Sequence, residues 1–256
     1  KVNLEVPSIR KLSAWAGSPL DAPGDGLGPL SIAGNLALKG SQVSFSNAKI
    51  GLDGMTAEGD FAVDTGGKVP TLKGRLDWDQ LDLNLYAASS PNTDEGTPEG
   101  AESNEVNVAS DDWSDDEIDF SGLKAANADF DLSVREILID QMKIGKSVVK
   151  VGLRDGRLTV NLTELALYGG KGTANIVINS RAKVPLIRNS LSVTGVQLEP
   201  LLTDAADFTK MNGTGTIKFE LSTHGRTERQ LVAGLNGSGN IAVENGDVGT
   251  HAEGDL

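Results

Sequence analysis

The sequence predicts a mainly β fold: an extended, curved antiparallel β-sheet, built as a hairpin meander, with a few short helices and an apolar concave face. Three observations predict it. Apolar residues recur at every second position in many short runs, the signature of strands with one greasy and one wet side. Glycine is abundant, at 31 residues, and Gly, Asn and Asp separate the runs. Aromatic residues make up only 4% and apolar residues 38%, so the large rings that dominate most globular cores are scarce.

In the first half the alternating runs are Leu36 and Leu38, Val43 and Phe45, Phe61 and Val63, then Leu81, Leu83 and Leu85. In the second half they are Phe130, Leu132 and Val134; Val149, Val151 and Leu153; Leu158, Val160 and Leu162; Leu165 and Leu167; Ala174, Ile176 and Ile178. Leu191 and Val193, Ile217, Phe219 and Leu221, and Ile241 and Val243 follow. Asp155-Gly156 between two of these runs is a strong two-residue hairpin signal, and Gly169-Gly170 and Asn245-Gly246 mark further breaks. Short turns between one-sided strands imply antiparallel neighbours.

Helices are few. Residues 7–16 start with Pro7 and place Ile9, Leu12 and Trp15 at helical spacing, with Trp15 expected to pack the helix. Residues 200–208 form a second candidate. Residues 227–235 form a third, with Thr227 as cap and Gln230 three positions on completing a capping box.

The chain divides into three stretches. Residues 1–86 form a first sheet unit. Residues 87–117 are Ser-, Pro-, Gly- and acid-rich, and cannot bury enough surface to offset their ordering entropy, so a loop or linker is expected. Trp113 is expected to pin that stretch to the sheet. Residues 118–256 are strand-rich again. An internal echo links the halves: Lys68-Val69-Pro70 and Lys183-Val184-Pro185 each lie in a turn between two alternating runs, which favours repeated hairpin units.

Charge and chemistry exclude much. A net charge of −13 without Lys/Arg clusters argues against nucleic acid. No cysteine is present, which removes disulfides, thiolates and Cys-based metal sites. The two histidines, His224 and His251, form no metal or triad spacing and read as surface residues. Gly169-Gly170-Lys171-Gly172-Thr173 lacks the spacing of a phosphate loop and reads as a tight hairpin. The clusters Asp77, Asp79, Asp82 and Asp111 to Asp119 lack the Gly and terminal Glu of a calcium loop and read as solvated acidic segments. No catalytic residue, metal or cofactor is expected. No run of 18 apolar residues and no signal-like segment occurs. The chain opens in what reads as mid-strand (VNLEV), so an export signal or anchor is expected upstream.

The segment Trp113 to Leu123 (WSDDEIDFSGL), followed by the alternating strand ADFDLSV, then Ile144-Gly145, Asp155-Gly156-Arg157-Leu158 and Leu167-Tyr168-Gly169-Gly170, resembles the C-terminal region of AsmA family proteins. Leu198-Glu199-Pro200-Leu201-Leu202 and Leu235-Asn236-Gly237-Ser238-Gly239 also resemble it; the DVGTHAEGDL ending departs from it. The resemblance implies a periplasmic protein of Gram-negative bacteria, tethered to the inner membrane by an N-terminal helix. It implies kinship with bridge-like lipid transfer proteins, roles in phospholipid movement and outer-membrane biogenesis, partners among phospholipids and envelope proteins, and no catalytic residues. The expected lipid groove is lined by Phe130, Leu132, Val134, Val149, Val151, Leu158, Val160, Leu165, Leu167, Ile176 and Ile178. The competing readings are a structural or adhesive envelope β-protein without a lipid role, and a carbohydrate-active enzyme, which the paucity of His and aromatics disfavours.

Overall fold

The computed structural model describes residues 1–15, 17, 24–87 and 113–246. Twelve strands form one curved sheet whose edges do not meet, in strictly sequential order. The first block holds β1 (Val2–Val6), β2 (Leu30–Lys39), β3 (Gln42–Leu52), β4 (Met55–Asp64) and β5 (Thr71–Asp82). The second holds β6 (Asn127–Ile139), β7 (Met142–Arg154), β8 (Arg157–Leu167), β9 (Gly170–Asn179), β10 (Leu186–Gln197), β11 (Thr214–His224) and β12 (Asn236–Glu244). Three α-helices are described: α1 (Ile9–Trp15), α2 (Leu198–Ala206) and α3 (Glu228–Ala233).

The turns explain the meander. Asp53-Gly54 and Asp155-Gly156 both take positive φ at each residue, and so do Tyr168 and Gly169. Two successive left-handed residues make the primed turn whose twist matches that of the flanking strands. The break assigned to Gly169-Gly170 is therefore centred one residue earlier, and Gly170 already belongs to β9. The Lys-Val-Pro echo is structural. Pro70 lies in the β4–β5 turn, and its carbonyl accepts the Asn127 amide; Pro185 lies in the β9–β10 turn, and its carbonyl accepts the Gly225 amide. Each proline carbonyl thus ties its turn to the end of the next strand over.

One joint departs from the meander. β5 and β6 run parallel, with Leu72 opposite Ala128, Leu76 opposite Leu132 and Trp78 opposite Val134. A parallel pair needs a connection that returns to the starting end. The acidic stretch between β5 and β6 supplies it. Most of that stretch, residues 88–112, lies outside the described residues. The two strand-rich stretches are therefore parts of one sheet, and their apolar rows continue across the joint.

Bulges bend the sheet. The register shifts at Ala33/Asn35 between β2 and β3, at Phe45/Ala48 between β3 and β4, and at Leu162/Leu165 between β8 and β9. An extra residue on one strand kinks it and raises its twist. At the β3 bulge Asn47 has φ 48°, and its amide donates to the Asp60 carboxylate at 2.8 Å.

The helices cap the ends of the sheet. Around α1, the Ile9 amide donates to the Gly28 carbonyl, and the Arg10 guanidinium donates to the carbonyls of Gly24 and Gly26. Trp15 does not pack; it is 85% exposed. At α3, the Thr227 hydroxyl accepts the Gln230 amide as the capping signal predicts. The Gln230 side chain reaches one residue further back, accepting the Arg226 amide at 2.9 Å rather than that of Thr227.

Gly172 tests this packing. A Cβ there would lie 2.1 Å from the Ser192 carbonyl oxygen and 2.7 Å from the Val193 Cα, both backbone of β10. Gly172→Ala therefore forces β9 and β10 apart and should cost about 1–3 kcal/mol, the usual range for overpacking. Urea denaturation followed by circular dichroism measures it; an unchanged midpoint contradicts the close approach.

Candidate functional site: an apolar sheet face

Because side chains alternate across a strand and the registers align, the apolar positions of all twelve strands fall on one face. Leu4 stands opposite Ile32, and Ile32 opposite Ile50. Phe45 faces Phe61, their rings stacked with centroids 5.0 Å apart. In the second block Phe130 faces Val151, Val151 faces Val160, and Val160 faces Ile176. Ile176 stands opposite Asn189, a polar break in that row; the neighbouring row runs on through Ala174, Leu191 and Phe219, and Ile217 faces Ile241 at the far edge. No charged side chain interrupts these pairs.

Three buried clusters lie along this face and overlap at their margins. The first centres on Ile32, Phe45, Ala48, Ile50, Ala57 and Leu76. The second centres on Val134, Ile137 and Val149 and shares Trp78 and Leu132 with the first. The third centres on Leu165, Leu167, Val193, Val196 and Leu201 and shares Ile144 and Leu162 with the second. The face is one continuous apolar surface, closed over at one place by α2, whose Leu198 and Leu201 are buried. The Tyr168 hydroxyl holds that helix by donating to Asp204 at 2.5 Å.

The residues nominated from sequence all lie on this face, in two groups. Val134, Val149, Leu165 and Leu167 are buried. Phe130, Leu132, Val151, Leu158, Val160, Ile176 and Ile178 are only half-buried. The sequence reading omitted the first-block counterparts, Phe45, Phe61, Leu76 and Trp78, which continue the same row. Their signal was the same alternation. Ser147 and Asn189 are polar exceptions: Ser147 is fully buried in the row between Val134 and Leu165, and its hydroxyl donates to the Gly145 carbonyl at 2.9 Å, while Asn189 stands between Ile176 and Leu221.

The other face is polar. Lys49 pairs with Glu58 at 3.1 Å, Arg135 with Asp79 at 3.1 Å, and Lys150 with Asp131 at 3.3 Å. All six partners are well exposed, so each pair contributes little to stability. A trough of about 820 Å³ crosses this face from Lys150 on β7 to Asn240 on β12, lined by short residues such as Asn161, Asn175, Ser190 and Ser238. Nothing in the alternation had announced this polar hollow.

The acidic groups serve as local anchors. Asp53 accepts the amides of Leu27 and Gly28 at 2.9 and 2.7 Å and the Tyr86 hydroxyl at 2.7 Å. Burial of the Tyr86 ring, then its bond to Asp53, raises the phenol above its ordinary range. Burial and Asp204 raise Tyr168 in the same way. Asp115 takes the Arg229 Nε at 3.0 Å, Glu117 pairs with Arg226, and the Trp113 carbonyl accepts the Arg229 Nη2 at 2.9 Å. The segment starting at Trp113 is thus strapped to α3 by its backbone and carboxylates, whereas the Trp113 ring is 47% exposed. Asp79 and Asp82 are engaged with Arg135 and with the Asn84 amide. Asp111, Asp112 and His251 lie outside the described residues. Among the described residues no group of three metal-ligating side chains forms and no helix is long and apolar enough to cross a membrane.

The tyrosine staples predict a pH dependence. A phenol whose folded pKa is raised stabilises fully below its ordinary value of about 10 and loses that contribution as pH climbs through the folded value. Stability should therefore fall above about pH 10, and Tyr168→Phe should flatten that fall while costing about 1 kcal/mol at neutral pH. Thermal melts from pH 7 to 11 check both; equal alkaline slopes in the two proteins contradict the assignment.

In comparisons with known proteins, the model of the AsmA family matches residues 4–251. No curated protein and no solved structure matches.

Proposed function

We propose that this chain, which belongs to the AsmA family, works in the bacterial cell envelope by offering its apolar sheet face to the acyl chains of phospholipids. The observation that carries the reading is the charge-free apolar face shared by twelve strands, with so little laid over it. A sheet with one greasy face ordinarily buries it against a second layer. Here the α-helices are short and sit at the strand ends, and much of the row stays half-accessible. Contiguous apolar surface of this kind marks an interaction site. An acyl chain suits it: burying each methylene contributes roughly 0.8 kcal/mol, so a few carbons give useful, reversible binding. Neighbouring side chains along the row differ little in chemistry, so a chain bound at one strand meets a similar surface at the next.

In this reading the protein acts in the periplasm, held to the inner membrane by an anchor preceding the described strands, and contributes to phospholipid transport and outer-membrane biogenesis. It is not an enzyme; the side chains do their work by burial alone. The polar face, with its exposed ion pairs, keeps the other side of the sheet wetted.

The test is lipid retention. Incubating the chain with vesicles of phosphatidylethanolamine and phosphatidylglycerol, then re-isolating it for native mass spectrometry, should show bound phospholipid. Ile176→Glu puts a carboxylate in the half-buried row and should cut the lipid carried about tenfold, equivalent to about 1.4 kcal/mol. Thr173→Glu, on the polar face, should leave it unchanged, with circular dichroism confirming the fold of both. Absence of lipid from the parent protein, or equal loss in the two variants, refutes the lipid role and leaves a purely architectural envelope protein.

A further inference from the structure

We propose that the outer edge of β12 docks onto the same edge of a second copy of this chain, in an antiparallel pair about a twofold axis through Asn240. The inference concerns association and stands apart from the lipid reading.

Among the described residues the sheet ends at β1 and β12. The two edges differ. β1 carries Glu5 within it and is followed by Pro7. Charge and proline are usual protections of an edge strand. β12 has none of them. It is nine residues long, reads NGSGNIAVE, has one ionisable side chain at its last position, and pairs with β11 without a register shift. Every residue of it is exposed, with Ile241 at 65% and Val243 at 43%. Among the described residues such an edge presents an unpaired row of backbone donors and acceptors.

The occupant follows from the side chains. An antiparallel pairing that uses all nine residues of two copies puts Asn240 opposite Asn240. That register sets Ile241 opposite Gly239 of the second copy, Val243 opposite Gly237 and Glu244 opposite Asn236. Each branched side chain meets a gap, and no like charges meet. β11 already uses the same gaps, with Phe219 opposite Gly239 and Leu221 opposite Gly237. At Gly237 this chain alone requires glycine, since a Cβ would lie 2.0 Å from the Glu220 carbonyl oxygen. At Gly239 it does not: a Cβ would lie 3.4 Å from the Phe219 Cβ, an ordinary contact. An Ile241 arriving from across the edge gives that glycine a reason. The twofold axis lies normal to the sheet, so both apolar faces stay on one side and the two sheets become one.

A nine-residue ladder buries less than the roughly 800 Å² per partner of a standard interface, so the dimer should be weak and concentration-dependent. Sedimentation of the full chain from low to high micromolar should show monomer and dimer in exchange. Asn240→Lys alone and Asn240→Glu alone each set like charges opposite one another and should stay monomeric; their equimolar mixture should dimerise again. The chain has no cysteine, so Asn240→Cys should form a disulfide-linked dimer on mild oxidation, whereas Ala242→Cys, facing Ser238 of the second copy, should not. A parent chain that stays monomeric, a dimer indifferent to both charge variants, a mixture that fails to reassociate, or equal cross-linking at both cysteines overturns the proposal.

Discussion

Everything in this molecule depends on keeping a two-residue side-chain period in register across twelve strands. A slip of one residue at any ladder would send that strand's Leu, Ile and Val to the wet side and its Lys, Asp and Asn to the greasy side. The turns guard against this. Asp155-Gly156 leaves only the primed geometry between β7 and β8, and the proline carbonyls of the two Lys-Val-Pro turns fasten the third strand of each set. Where a residue is inserted, as at Asn47, a hydrogen bond donated to the next strand holds the bulge and the alternation resumes beyond it. Among the described residues little beyond α2 is laid over this face, so alignment within the sheet is the chief source of a coherent apolar surface.

Much of this was legible in the amino-acid order because the governing rules are local. Alternation placed Phe130, Leu132 and Val134 on one face, and Asp155-Gly156 marked the tight turn between β7 and β8. The α2 and α3 segments were placed to within two residues, from proline and a capping threonine respectively. What stayed hidden depends on contacts between distant residues. Tyr86 and Asp53 are separated by two strands, β4 and β5, and nothing near either announces their bond. Trp15 failed for the opposite reason: helical spacing suggests a packed face, but α1 is two turns long and extends its last residue into solvent. The half-accessible character of the Val160 and Ile176 row was likewise unreadable, since periodicity gives the side on which a residue lies and not what covers it.

Electrostatics are kept off the apolar face. The ion pairs lie on the outer side or at the strand ends, and the acidic groups near Trp113 are spent on Arg226 and Arg229 rather than on any ligand. This separation leaves the apolar face to hydrocarbon chemistry alone. Its hold on a guest would then change little with ionic strength, because screening acts on charges and the row has none.

The parallel joint between β5 and β6 has a kinetic meaning. Within each block every ladder joins strands adjacent in sequence, mostly through tight turns, so those contacts cost little chain entropy to close. The joint alone requires the long acidic excursion to bring Thr71 beside Asn127. Search time therefore concentrates in one event: two meanders that zip early must find each other late. Until they do, the Leu76 and Leu132 rows stand as bare edges, the most aggregation-prone moment in the life of the chain.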